Sequence, residues 1–209
     1  MKAYIYTGGG VLFDRISLSP TDCDIVRSAD AGYLSATSFG ITPSIAVGDF
    51  DTLGEYDFSP LTEVVRLPAE KDESDTEAAV NIALARGADE IVIVGGLDGR
   101  LDHTLANIRI VETLSKKGVS AYITDGRNRV RYIENTSAVI AKEDFKYLSL
   151  ICVSQKARGV MLKGVKYPLN NATLLRENAS FSISNEVVES FAVVSVKRGA
   201  LYVIESTDK

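Results

Sequence analysis

The chain has 209 residues and a mass of 22.6 kDa, enough for one or two domains and too little for three. With 45% apolar and 24% charged residues it has a globular composition, which excludes a disordered or collagen-like chain. Lys and Arg total 23 against 28 Asp and Glu, and the net charge of −5 argues against a nucleic-acid partner held by a general basic surface.

In chain order, apolar runs at 3–7 and 25–28 read as strands, and a helix is expected over 31–39. Residues 45–47 and 64–67 are again strand-like. Ser74, with Glu77 three residues later, forms a capping box for a helix over 75–86 that Gly87 closes. Residues 91–94 are continuously apolar, as a strand buried on both faces must be. Leu101, Leu105, Ile108, Val111 and Leu114 fall on one helical face, which Lys116, Lys117 and Gly118 end. Residues 121–124 form the next strand. Strands alternating with helices predict a mostly parallel sheet with flanking helices over residues 1–126.

After Asp125-Gly126-Arg127-Asn128 the helical period stops. Short β-like runs follow at 129–134, 138–141, 147–154, 160–162, 172–174, 180–183, 190–197 and 200–205, spaced as in a sandwich or barrel. Residues 127–209 are therefore read as an all-β sandwich domain, whose small core would lean on the first domain or on another subunit. Cys23 and Cys152 sit in unrelated contexts and are expected as buried thiols. No run is apolar and long enough to span a bilayer, and the first residues lack a signal-peptide core, so a cytoplasmic protein without a membrane partner is expected.

The acids of the first half follow the predicted strands. Asp30 comes after one, Asp49 and Asp51 after another, Asp72 and Asp75 after a third, and Asp98 and Asp102 after a fourth. Ligands of open parallel sheets bind beyond the carboxyl ends of the strands, so these loops converge on one crevice. So many carboxylates repel one another unless a cation sits among them. Mg²⁺, a hard ion that takes carboxylates together with substrate phosphates, fits best. Any single acid in 70–77 is equally explained by a helix start. Arg100 is either a bidentate phosphate ligand or a surface residue beside a tight turn. His103 is the only histidine, which excludes a multi-histidine zinc site; it bonds locally or orients a phosphate or an acid. Gly8-Gly9-Gly10 follows a strand but lacks the spacing of a dinucleotide fingerprint or a Walker lysine.

As an ordered set, Ser28-Ala29-Asp30-Ala31-Gly32, Gly48-Asp49-Phe50-Asp51-Thr52, Lys71-Asp72-Glu73-Ser74-Asp75-Thr76-Glu77 and the stretch from Gly95 to Asn107 resemble the catalytic motifs of thiamine pyrophosphokinases. Lys163-Gly164-Val165-Lys166-Tyr167-Pro168-Leu169 and Ser184-Asn185-Glu186 look like that family's thiamine-binding β domain. The resemblance spans nearly the whole chain. It implies transfer of the terminal diphosphate of ATP to the hydroxyl of thiamine, giving thiamine diphosphate and AMP. It also implies an α/β domain for ATP and Mg²⁺, a β-sandwich domain for thiamine, and a homodimer with shared active sites.

The resemblance assigns residues as well. Asp49, Asp72, Asp75, Asp102 and Arg100 become catalytic, and Asp51, Asp72, Asp75 and Asp102 bind the metal. Asp30, Asp51, Lys71, Arg100, His103 and Asn107 lie on the ATP side, and Tyr167, Ser184 and Asn185 meet thiamine. Two positions depart from the pattern: Asp98 stands where a glycine or other small residue is expected, and Ser182 replaces the glycine of a Gly-x-Ser-Asn-Glu turn. The chemistry is attack at the β-phosphorus with AMP leaving, which rests on metal and positioning more than on covalent work. Two other readings compete. Asp49-Phe50-Asp51-Thr52 after a strand suggests a haloacid-dehalogenase-like phosphohydrolase as the runner-up, and the third reading is a nucleotide- or thiamine-binding sensor that has kept the fold and lost turnover.

Overall fold

A strand that is apolar at every position needs cover on both faces, and the first half of the chain is built round such strands. The computed structural model describes residues 1–16, 25–51, 56–68, 70–178 and 180–208, in two compact units, Met1–Gly126 and Arg127–Lys209.

Among the described residues of the first unit, β1 (Lys2–Tyr6), β2 (Ile25–Ala29), β3 (Ile45–Gly48), β4 (Glu63–Arg66), β5 (Glu90–Val94) and β6 (Ser120–Thr124) pair in parallel. Their order is β4-β3-β2-β1-β5-β6. Ile91 to Val94 of β5 are fully buried, as their apolar run requires. The helices are α1 (Gly32–Ser38), α2 (Asp75–Ala85) and α3 (Leu101–Lys116).

Register decides which helix covers which face. Tyr6 pairs with Ser28, and Tyr4, Tyr6, Val92 and Val94 pack with Ala36 of α1. One residue earlier Ile5 pairs with Arg27, which points to the opposite face and donates to the Ile82 carbonyl of α2 at 3.4 Å. Helices therefore cover both faces, the doubly wound arrangement that strand–helix alternation predicts. The chain winds from β1 outward to β4, then returns to β5 on the other side of β1, so the order reverses between β1 and β5. That point opens a crevice at the carboxyl ends. Gly32 lets α1 start hard against β1, since a Cβ there would lie 2.0 Å from the Tyr6 carbonyl oxygen.

Ser74 caps α2 as its sequence predicts, its Oγ accepting the Glu77 N–H at 3.2 Å. In α3 the expected apolar stripe is buried at Val111 and Leu114 only. Leu101 and Leu105 are 69% and 52% exposed, so the first turns of α3 do not use the apolar stripe for the core.

The second unit contains β7 (Asn128–Glu134), β8 (Ser137–Ala141), β9 (Tyr147–Cys152), β10 (Lys156–Lys163), β11 (Leu169–Leu175), β12 (Phe191–Ser195) and β13 (Ala200–Ser206). β13 pairs antiparallel with β7 and β9, and β11-β10-β12-β8 form an antiparallel sheet. Leu148, Leu150 and Val203 from the first group and Ile140, Leu162 and Val194 from the second share one core, so the unit is a sandwich.

The expected strand at 180–183 is a turn. Its alternation is real but inverted in use: Phe181 and Ile183 are exposed, while the Ser182 hydroxyl donates to the Leu150 carbonyl at 2.7 Å. The runs at 160–162 and 172–174 lie within the longer strands β10 and β11, and the run at 147–154 ends at Cys152. Cys152 is half-buried, with its thiol 3.1 Å from the Ser154 carbonyl, where a buried thiol was expected. Cys23 lies outside the described residues. No helix among the described residues is long and apolar enough to cross a membrane.

Candidate active site

The strand ends at the β1/β5 reversal enclose a cavity of about 540 Å³. β1 contributes Thr7, Gly8 and Gly9 to its wall, β2 Asp30 and β3 Asp49. Lys71, Glu73 and Asp75 come from the start of α2, Asp98 from the turn after β5, and Arg100, His103 and Asn107 from the start of α3.

Local packing fixes the acids. Phe50, at φ 58°, has a left-handed backbone, which is rare for a bulky residue. Its ring is 2% exposed, meets Phe58 edge-on at 4.9 Å and lies under the Arg66 guanidinium at 5.3 Å. This anchoring over-determines the strained backbone and turns Asp49 and Asp51 toward each other. The Asp51 N–H donates to the Asp49 carboxylate at 3.2 Å. Asp30, also left-handed at φ 43°, completes the group: Asp30, Asp49 and Asp51 each offer a carboxylate oxygen within 4.8 Å of the others. Asp30 Oδ1 is buried with no hydrogen-bond partner. Three hard anionic oxygens at this spacing, with an orphaned oxygen on Asp30, fit a divalent cation such as Mg²⁺.

The cavity's cations are already paired. Lys71 Nζ lies 2.8 Å from Asp75 Oδ1. Burial opposes the Lys71 charge, but the bond to Asp75 and the nearby Asp49 and Glu73 outweigh it, holding the ammonium above its ordinary range. Arg100 grips Asp102 through Nη2 at 2.7 Å and Nε at 3.2 Å. This fork holds the Asp102 carboxyl below the usual range, helped by the His103 N–H at 3.0 Å.

Glycine and amide geometry set the floor. Gly96, at φ 70°, fits only because it has no side chain: a Cβ would stand 2.4 Å from Asn107 Nδ2 and 2.8 Å from Thr7 Oγ1. Asn107 is buried and donates to the Gly96 carbonyl at 3.1 Å, while the Thr7 hydroxyl donates to Val94 at 3.3 Å. Asn107 thus shapes the turn from below.

Of the residues singled out by sequence, Asp30, Asp49, Lys71, Asp75, Arg100, His103 and Asn107 meet at this cavity. Asp51 joins it through the three-carboxylate group. Asp72 is exposed at the α2 approach, and Asp102 sits behind Arg100. Thr7 and Glu73 are wall residues that sequence reading passed over. Thr7 was legible as the residue that ends the first strand, but nothing local marked Glu73 out from its acidic neighbours.

In the second unit Ser184 is exposed and left-handed at φ 58°. Asn185 is 7% exposed and its amide is engaged at both ends. Its Oδ1 accepts the N–H of Tyr167 at 3.0 Å and of Glu186 at 2.9 Å, and its Nδ2 donates to the Tyr167 carbonyl at 2.7 Å. Asn185 therefore fixes the backbone at Tyr167, whose ring is 62% exposed beside Ser184's turn.

Known proteins share this architecture. Residues 19–123 match the family described as "Thiamin pyrophosphokinase, catalytic domain", and residues 137–201 match "Thiamin pyrophosphokinase, vitamin B1 binding domain". A "Thiamine pyrophosphokinase" of Bacillus subtilis (strain 168) is 33% identical over 86% of this chain and 86% of its own length. The solved structure of thiamine pyrophosphokinase from Bacillus subtilis superposes with a TM-score of 0.89 at 28% identity, over the whole of both chains. A thiamin pyrophosphokinase family protein from Enterococcus faecalis gives 0.86 at 31% identity, also over both whole chains.

Proposed function

Since this chain belongs to the thiamin pyrophosphokinase family, we propose that it transfers the diphosphate group of ATP to the hydroxyl of thiamine, releasing AMP. The observation that carries this reading is the Asp30–Asp49–Asp51 group facing a glycine-lined phosphate cradle at the sheet's switch point. The phosphohydrolase alternative is not favoured, because Asp49 and Asp51 group with Asp30 from the end of a second strand and the family matches support diphosphotransfer.

Residues 1–126 are the ATP- and metal-binding domain, and residues 127–209 bind thiamine. The matched family descriptions support that split. Mg²⁺ would be held by Asp30, Asp49 and Asp51, with Asp72, Asp75 and Asp102 as the remaining carboxylates of the set. When bound, it neutralises charge on the polyphosphate. Arg100 and Lys71 supply the protein's own cations to the phosphates, once released from Asp102 and Asp75. His103 and Asn107 shape the α3 side of the nucleotide site. The transition state is loose, so the chain's main task is to hold the alcohol in line with the β-phosphorus and to exclude water. Thiamine recognition falls to Ser184 and the Tyr167 ring, both presented by Asn185.

The active protein on this reading is a homodimer with shared sites that works in the cytoplasm. Exposed apolar residues support the dimer: Leu101 and Leu105 beside the cavity, and Val139 at 67% and Phe191 at 47% on β8 and β12. The test of the activity is incubation with ATP, Mg²⁺ and thiamine, followed by chromatography. Equal amounts of thiamine diphosphate and AMP are expected, and ADP or free phosphate in their place overturns the assignment. Mixing a Ser184→Ala chain with an Asp49→Asn chain tests sharing. Exchanged heterodimers should recover activity that neither parent has, and activity that stays at the parental level removes the shared site.

A further inference from the structure

Asp98 stands in the turn after β5, exposed on the cavity wall, and reaches across to the loop after β1. Its Oδ2 accepts the Gly10 N–H at 2.8 Å. The glycines there make room for the carboxylate: a Cβ on Gly9 would lie 2.2 Å from Asp98 Oδ1, and one on Gly10 would lie 3.0 Å from Oδ2. Gly9 is left-handed at φ 108°, a conformation open to glycine and rare for other residues. An anion thus rests on a backbone amide in a side-chain-free cradle beside the start of α3, the chemistry by which glycine loops take phosphate oxygens.

We propose that Asp98 is a stand-in for nucleotide phosphate: in the free enzyme its carboxylate holds the Gly8–Gly10 cradle in shape, and on binding it gives up Gly10 to a phosphate oxygen. This rests on the diphosphotransfer reading and adds a residue that sets nucleotide affinity. The exchange is of one anion for another, with no bond made or broken covalently. Two features make it cheap and consequential. The bond is solvent-exposed, so it is lost at little cost. The wall's cations, Lys71 and Arg100, are paired with Asp75 and Asp102, so the charge of Asp98 is added to a wall that already carries Asp30, Asp49 and Glu73. A polyphosphate therefore binds against Asp98 until the carboxylate swings out.

The experiment compares full-length wild type, Asp98→Asn and Asp98→Ala by calorimetric titration with the Mg²⁺ complex of α,β-methylene ATP, which cannot be cleaved at the reacting bond. Michaelis constants for ATP and thiamine are measured alongside. Asn keeps the size and an acceptor for Gly10 while removing the charge. Both variants should bind the analogue about fivefold more tightly at low salt, the size expected for one like charge a few ångströms away in water. The gain should shrink as ionic strength rises, and the constant for thiamine should stay in place. If Asn matches wild type while Ala binds more weakly, Asp98 is a tether only and the proposal is wrong. Weaker binding in both variants with a raised Mg²⁺ requirement would make it a metal ligand, which also overturns the proposal. Should wild type form no thiamine diphosphate yet bind the analogue, the reaction assignment falls while the titration still decides on Asp98. Wild type that binds no analogue overturns both.

Discussion

In the first unit Asp30 keeps a buried carboxylate oxygen without a partner, and Arg27, fully buried on β2, leaves Nε and Nη1 unbonded. Burial lowers that guanidinium to about 10. In the second unit, by contrast, Asn185 satisfies both ends of its amide, and Glu205, 3% exposed, is bridged by Arg129 and Arg131. Arg129 also meets Glu143 at 2.7 Å. A buried polar group without a partner costs about 1–3 kcal/mol, so Asp30 Oδ1 at the cavity is a demand that a ligand can meet, whereas the amide of Asn185 is met within its own unit. The contrast separates two ways of building a site. The α/β unit holds an unsatisfied Asp30 oxygen beside cations that are paired with acids of the same chain. The β unit presents exposed side chains, Tyr167 and Ser184, from a backbone that is already locked.

The contrast breaks first at Asp49. Asp49→Asn removes one carboxylate from the strained Phe50 turn and should lower AMP formation by on the order of 10²-fold or more, the cost of losing one transition-state electrostatic contact. The melting temperature should hold or rise, because a like charge leaves a group of three. A joint loss of activity and stability would mean that the acids are structural.

Asn185→Ala attacks the locked half. Two N–H donors and one carbonyl lose their partner, a local loss of about 1–3 kcal/mol. It should appear as a raised Michaelis constant for thiamine, on the order of tenfold, with the constant for ATP unmoved. An equal rise in both constants would remove the division of labour between the units.

The smallest effect sharpens the picture of exchangeable cations. Arg100→Lys keeps the charge but loses the fork, so ATP use should weaken by only about threefold, since exposed pairs contribute little. The deficit should fade with added salt in steady-state assays. An unchanged ATP dependence would leave Arg100 as nothing more than the partner of Asp102.

Local signals carried much of the fold. The apolar run of β5, the Ser74 cap of α2 and the change of period near residue 126 each depend on neighbours within one turn or strand, and such neighbours are visible in a linear chain. The strand at 180–183 failed for the same reason. Period alone cannot tell which side of an alternating segment meets a core, and there Ser182 faces β9 while Phe181 and Ile183 face solvent. At the site, the rule that acids follow strand ends led to the cavity that Asp30, Asp49 and Asp75 line. It could not rank the acids, because ranking depends on which turns are left-handed.

Sequence alone determined a parallel α/β half followed by an antiparallel β half, since hydrophobic period is a local property and selects helix or strand. It also determined that acids and glycines sit beyond the strands. Only the tertiary structure decided that a buried Phe50 ring bends Asp49 and Asp51 toward Asp30. It alone decided that Asn185 serves the Tyr167 backbone across 18 residues and that Asp98 rests on Gly10 across 88. Each of these depends on segments far apart in the chain, brought together by strand order and register, and no local period encodes such a meeting.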